Sequence, residues 1–309
     1  MMRSRLRTWV TRLALLGIGS VALLLFGVIP IGGSFLITNT RFRPDGDVNA
    51  GAPFPVEDVR FAASDGIRLR GWWSPREEGT RGTVVFVHGL NRSRLEMLDR
   101  AAAIDDLGFS TLLFDLRNHG ESEKAHTTLG IRESGDVCRA AEFARSRHPE
   151  APVVLWGVSL GASAALLGAR CARADAVISD SSFLSLEDTV RHHFSGISGL
   201  PAFPIADLLL LVTRLRMGFT LADGDVEAAV EAMPDVPIFF VAGGQDWRMP
   251  PEIAERLLAA SDNRGSRLFL VGEATHGHAF GEDPEGYLGG VAGFLAEVLA
   301  PAVPAPTLY

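Results

Sequence analysis

The sequence predicts an α/β fold, a doubly wound and mostly parallel sheet with a helical insertion, following an N-terminal transmembrane helix. Three observations predict it. Short, continuous apolar runs, the pattern of strands covered on both faces, alternate with amphipathic helical stretches from residue 83 to residue 299. One run, Val153-Val154-Leu155-Trp156, breaks at Gly157-Val158-Ser159-Leu160-Gly161 and turns at once into a helix of small and apolar residues over 162–170. Residues 13–37 carry no charge at all.

That uncharged run, LALLGIGSVALLLFGVIPIGGSFLI, exceeds the roughly 20 residues needed to cross a bilayer. It also outruns the usual signal-peptide core of about 7–15 residues and has no Ala-x-Ala site behind it, Gly32-Gly33-Ser34 being a weak substitute. An uncleaved anchor over residues 1–40 is favoured over the other reading, a cleaved signal peptide. With no cysteine in this stretch, lipoprotein anchoring is removed. Arg3, Arg5, Arg7 and Arg12 before the run outnumber Arg41 and Arg43 after it, so the N-terminus is expected in the cytoplasm and the folded domain outside. Residues 41–55, rich in Pro, Gly, Asn and Asp, read as a linker.

Charge excludes some partners. The chain has 29 Lys and Arg against 37 Asp and Glu, a formal charge of -8, which argues against nucleic acid. Beyond the four N-terminal arginines the balance falls to -12, so the folded part should not adhere electrostatically to anionic lipid. At 309 residues and 47% hydrophobic, the chain can bury one large α/β core. Its two cysteines, Cys138 and Cys171, fall in two expected helices and cannot form a C-x-x-C pair. A disulfide between them is possible, and two buried free thiols are the favoured reading.

In chain order, residues 59–61 and 67–73 read as two strands joined at Ser64-Asp65-Gly66, an antiparallel edge. Residues 83–87, TVVFV, are a buried parallel strand ended by His88-Gly89-Leu90-Asn91. A helix is expected over 94–107, a strand over 110–114, an amphipathic helix over 131–146, then the strand and helix around Ser159. Strands follow at 176–179, 237–242 and 267–271, with helices at 251–260 and 284–299. Residues 183–234 are a long insertion containing Leu200-Pro201-Ala202-Phe203-Pro204 and an apolar run over 205–212. Residues 301–309 are a tail.

A strand that becomes a helix within about one residue forces the middle residue into a strained backbone, so positions two before and two after must lack bulk. Gly157 and Gly161 satisfy this, and Ser159 is then held at the tip of a sharp turn, at the positive end of a helix. This is the nucleophile elbow, and here the chain resembles the α/β-hydrolase superfamily of serine esterases and lipases. Other motifs agree in order. Gly243-Gly244-Gln245-Asp246 with Pro250 resembles the family's G-x-x-D-x-x-x-P arrangement. Asp115 to Ser122 resembles its D-x-R-G-x-G-x-S loop, with Asn118 where glycine is usual, and reads as structural. Asp283-Pro284-Glu285-Gly286-Tyr287 resembles the closing segment. Thr127-Thr128-Leu129-Gly130, with Glu133 and Asp136, further resembles the membrane-anchored BEM46-like and ABHD13-like hydrolases. The resemblance covers about residues 56–300.

An alcohol nucleophile needs a base, and the base needs a carboxylate to fix its tautomer. The resemblance implies the order Ser, acid, His, and the sequence offers Ser159, then Asp246, then His276. Asp180, after the preceding strand, is the rival acid, expected to support loop structure instead. His278 is the rival base. Backbone amides of Leu90 and Leu160 are expected to hold the oxyanion, and His88 to buttress its loop. The remaining histidines have no metal-ligand spacing, and no metal or organic cofactor is implied. By the same resemblance the insertion is a lid, and its apolar composition suggests a lipophilic ester as the small-molecule substrate. A thioesterase, a peptidase or an inactive binding module are the alternatives.

Overall fold

The computed structural model describes residues 2–39, 51–76 and 79–300, so the expected linker lies largely, and the expected tail wholly, outside the described residues. The N-terminal apolar run is helical throughout. Helix α1 (Met2–Leu23) passes through one π-helical turn (Leu24–Val28) into α2 (Ile29–Asn39). Residues 6–39 form one stretch long and apolar enough to span a bilayer, with 6% of its most apolar window buried against protein.

The apolar runs pair into one sheet of eight strands: β1 (Glu57–Ala62), β2 (Arg68–Ser74), β3 (Thr83–Val87), β4 (Ser110–Asp115), β5 (Val153–Val158), β6 (Ala176–Asp180), β7 (Ile238–Gly243) and β8 (Arg267–Val271). Their spatial order is β1-β2-β4-β3-β5-β6-β7-β8. β1 and β2 form the antiparallel edge, β2 is antiparallel to β4, and every pairing from β4 to β8 is parallel. The turn between β1 and β2 closes at Gly66, whose φ of 85° suits glycine.

Alternation along the central strands feeds two cores. Val85 and Val87 of β3, with Val153 and Leu155 of β5, pack under α4 (Ile131–Arg147) and α5 (Leu160–Ala172). Val84, Phe86, Val154 and Trp156 face the other side, under α3 (Leu98–Asp106) and α11 (Pro284–Val298). Strands buried on both faces explain their lack of polar alternation.

The helix expected over 94–107 is divided. A 3-10 turn, Arg94–Met97, precedes α3 and is capped by Ser93. Here the Arg94 amide donates to Asp115 Oδ1 at 2.8 Å, while its guanidinium pairs with Asp115 and Glu121 and lies 4.2 Å over the Trp72 ring. Tertiary contacts to β4 thus override the regular turn.

The two cysteines correct the expectation of buried free thiols. Cys138 on α4 and Cys171 on α5 are disulfide partners with Cα atoms 5.6 Å apart, and Cys171 is exposed. Gly168 makes the approach possible, because a Cβ there would stand 2.9 Å from the Ser134 carbonyl oxygen.

The 183–234 insertion holds α6 (Leu186–Ser198), α7 (Ile205–Met217) and the short α8 (Val226–Glu231). Ser185 caps α6 and Asp225 caps α8 with their side-chain oxygens, the usual N-cap role of these residue types. The C-terminal helices α9 (Pro251–Ala260), α10 (Ala279–Glu282) and α11 follow β7 and β8.

Candidate active site

β5 ends in the predicted turn. Ser159 has φ 54° and ψ -118°, a backbone that a non-glycine residue adopts only under constraint from its surroundings. The flanking glycines show the constraint. A Cβ on Gly157 would run into the backbone of Gly161, and one on Gly161 into the carbonyls of Val87 and His88. The Ser159 amide donates to the Asp180 carbonyl at 2.8 Å, tying the turn to β6.

Two loops beyond the carboxyl ends of β7 and β8 converge on this serine. Gly243 and Gly244 let them meet, since Cβ atoms there would strike the backbone of Ala274 and Gly272. The Gln245 amide donates to the Ala274 carbonyl at 2.9 Å across the junction. His276 Nε2 stands 2.8 Å from Ser159 Oγ, and its Nδ1 stands 2.7 Å from Asp246 Oδ2. Asp246 is 2% exposed, and its other oxygen accepts the amides of Arg248 and Met249, each at 2.9 Å. The acceptor-only carboxylate assigns the proton to Nδ1 and leaves Nε2 free to accept from the serine hydroxyl.

The rival residues have other partners. His278 is exposed, with Nδ1 2.9 Å from the Thr275 hydroxyl. Asp180 is fully buried. It accepts from Ser181 Oγ and Tyr287 OH, both at 3.0 Å, and lies 3.6 Å from Arg100 Nη2. Burial raises its pKa against the pull of Arg100. Trp156 Nε1 donates to Tyr287 OH at 3.2 Å, so one buried polar network joins α3, β5, β6 and α11 beneath the site.

The loop after β3 runs alongside the turn. A Cβ on Gly89, the residue before Leu90, would lie 3.6 Å from Ser159 Cβ. Leu160 opens α5, so its amide has no acceptor within the helix. His88 is fully buried and spans the loop, with Nδ1 donating to the Gly89 carbonyl at 2.8 Å and Nε2 accepting the Leu116 amide at 3.0 Å. Burial, with His119 and Arg94 nearby, depresses its pKa to about 3.

Glu96 and Arg100 carry no sequence signal that singles them out, yet both stand here. Glu96 Oε2 accepts the Gly89 amide at 2.6 Å, and burial raises its pKa. On the insertion side, Trp247, next to Asp246, packs 5.7 Å from the His193 ring of α6, and His192 Nε2 donates to the Trp247 carbonyl at 2.7 Å. Burial lowers the His193 pKa, with the neighbouring His192 and His276 rings acting in the same direction. A cavity of about 270 Å³ opens behind this contact, lined by Leu184, Asp188, His192, Arg248 and Ile253. It borders the Asp246 loop rather than Ser159.

Known proteins share this architecture. Residues 78–210 match the family model described as serine aminopeptidase, S33. An uncharacterized protein of Mycobacterium tuberculosis, MT2364, is 30% identical over 246 residues, 78% of this chain and 80% of its own. The uncharacterized protein YqkD of Bacillus subtilis is 25% identical over 221 residues, 70% of this chain and 72% of its own. Among solved structures, the Pyrococcus furiosus esterase Pf2001 superposes with a TM-score of 0.67 at 22% identity, over 84% of this chain and 98% of its own. A parallel sheet with an antiparallel edge, a strained serine turn after its central strand and a relative alike over four-fifths of its length agree, and the chain belongs to the α/β-hydrolase superfamily.

Proposed function

We propose that this chain is a serine hydrolase that cleaves carboxylic esters through an acyl-enzyme intermediate. The observation that carries the reading is the unbroken hydrogen-bonded line from Ser159 through His276 to Asp246. His276 Nε2 takes the proton as Ser159 Oγ bonds to the carbonyl carbon, and the amides of Leu90 and Leu160 hold the oxyanion. When the tetrahedral intermediate collapses, the C–O bond to the alcohol breaks and His276 returns the proton to the departing oxygen. Water then repeats the sequence on the acyl-serine. Asp246 orients the imidazole and stabilises its cationic form.

We assign residues 1–40 as an uncleaved anchor with a cytoplasmic N-terminus, 41–55 as linker and 56–300 as the extracytoplasmic catalytic domain, with 183–234 as its lid. The Cys138–Cys171 pair supports an oxidising compartment. The contact of α6 with Trp247 supports the lid role, and the apolar residues of α7 support a lipophilic acyl group. An anchor and an insertion of this kind support kinship with the BEM46-like and ABHD13-like hydrolases.

The description of the matched family model favours one other reading, a peptidase that forms the same acyl-serine. The test is a panel of p-nitrophenyl esters of graded chain length alongside aminoacyl p-nitroanilides. Turnover of the esters, lost in Ser159→Ala, is expected. Preference for the anilides would give the peptidase reading instead.

A further inference from the structure

The anchor and the insertion touch. Gly33 of α2 meets Leu209 of α7, a Cβ on the glycine standing 3.1 Å from Leu209 Cδ1. Further along both helices, Arg216 Nη1 donates to Ser34 Oγ at 2.6 Å and to Thr38 Oγ1 at 3.4 Å, and the guanidinium lies 3.5 Å over the Phe35 ring. The pairings advance together, so the two helices run in the same direction. The N-terminal end of α7 therefore lies toward Leu24–Val28, which α7 also reaches.

Depth follows from the span. Arg12 is the last charge before the uncharged run. A hydrocarbon layer of about 30 Å at about 1.5 Å per residue takes roughly 20 residues, from Leu13 to the neighbourhood of Gly33. Leu209 thus sits at the membrane boundary, and the start of α7 with the loop before it lies deeper. Arg214 and Arg216, at the other end of α7, lie on the water side.

Between α6 and α7 the chain leaves large apolar side chains uncovered. Arg191 on α6 pairs with Asp207 on α7, so residues 192–206 form the tip of a helical hairpin. Across that tip Ile197 is 76% exposed, Phe203 78% and Leu200 44%. The ion pair neutralises the carboxylate at the neck of the tip. Large apolar side chains left this open mark a contact surface, and here they stand at the end of α7 that lies toward a helix long and apolar enough to span lipid.

We infer that the tip of the insertion, residues 197–203, is buried in the leaflet on the catalytic domain's side, making a second membrane contact beside the anchor. The inference rests on the anchor reading of α1 and α2 proposed above. It deepens the functional reading as well. A lid standing in lipid opens onto the acyl region of the bilayer, so the substrate class is an amphiphilic ester already dissolved in the membrane. Apolar burial drives the contact, which agrees with the acidic charge of the domain.

The test uses the full chain in phosphatidylcholine vesicles, with an environment-sensitive fluorophore on single added cysteines, Cys138 and Cys171 being paired. Sites are Phe203→Cys and Ile197→Cys on the tip, Leu16→Cys in the anchor and Asp262→Cys on the loop before β8, at the opposite end of the sheet. All four are exposed side chains, and each variant's fold is checked by its thermal melt. Quenching by lipids labelled at graded depth should place positions 203 and 197 about 5–10 Å into the headgroup and acyl boundary, position 16 in the hydrocarbon and position 262 in water. Positions 203 and 197 behaving like 262, with 16 in lipid, would overturn the inference and leave the anchor. Position 16 in water would overturn both.

Discussion

His276 Nδ1 lies 2.7 Å from Asp246 Oδ2, and the carboxylate's other oxygen accepts two backbone amides, so Asp246 is held in place before it holds the imidazole. Asp180, at the end of the neighbouring strand, is also buried but spends its oxygens on Tyr287, Ser181 and Arg100. Two carboxylates near one histidine therefore have separable roles.

Replacing Asp246 by Asn keeps the shape but favours the wrong imidazole tautomer. Ester turnover by Asp246→Asn is expected to fall about 10³–10⁴-fold in kcat, with the melting temperature little changed. Steady-state kinetics beside a thermal melt checks both halves.

Asp180→Asn has the opposite signature. Removing one partner of a buried charge pair leaves Arg100 with only the neighbouring Glu96 to offset its charge, and the expected loss is about 3 kcal/mol of stability. Urea denaturation measures it. Where the variant stays folded, its kcat should remain far above that of Asp246→Asn.

Gly161→Ala would drive a Cβ into the carbonyls of Val87 and His88, backbone atoms that cannot swing aside. The expected cost is about 2–3 kcal/mol or more. Gly293→Ala, inside α11 with nothing within 4 Å of the added atom, should instead be neutral or gain up to about 1 kcal/mol of helix stability. Paired denaturation curves read the contrast.

His88 sets an acid limit. Its folded pKa is pushed down to about 3 by burial and by the nearby His119 and Arg94, below the 6.5 of a free imidazole. Between those values the unfolded chain binds a proton that the folded one does not. Its contribution is complete above pH 6.5 and is lost as pH falls, by about 1.4 kcal/mol per pH unit at this site, until pH 3. A His88→Gln variant should be less stable at pH 7 and lose less stability between pH 6 and pH 4, as followed by denaturation at each pH.

Much of this architecture is legible in the chain. Parallel strands buried on both faces lack polar alternation, so TVVFV and VVLW stand out, and β3 and β8 have the bounds expected from the sequence. The serine turn is legible because glycine at 157 and 161 is a steric demand visible in one dimension. The division of the 94–107 helix is not, because Asp115, which claims Arg94, comes from the next strand. Nor is the Cys138–Cys171 pair, which depends on two helices crossing at Gly168. The network of Arg100, Asp180, Tyr287 and Trp156 draws one residue from each of four elements, and no local pattern announces such a meeting.

Labelling by a fluorophosphonate followed by mass mapping of the adduct tests the central claim most directly, since the probe reports an activated serine whatever the natural substrate. A single adduct on the peptide carrying Ser159, absent after heat denaturation and absent in His276→Ala, is the predicted result. No adduct on the folded chain, or an adduct on another serine, would contradict it.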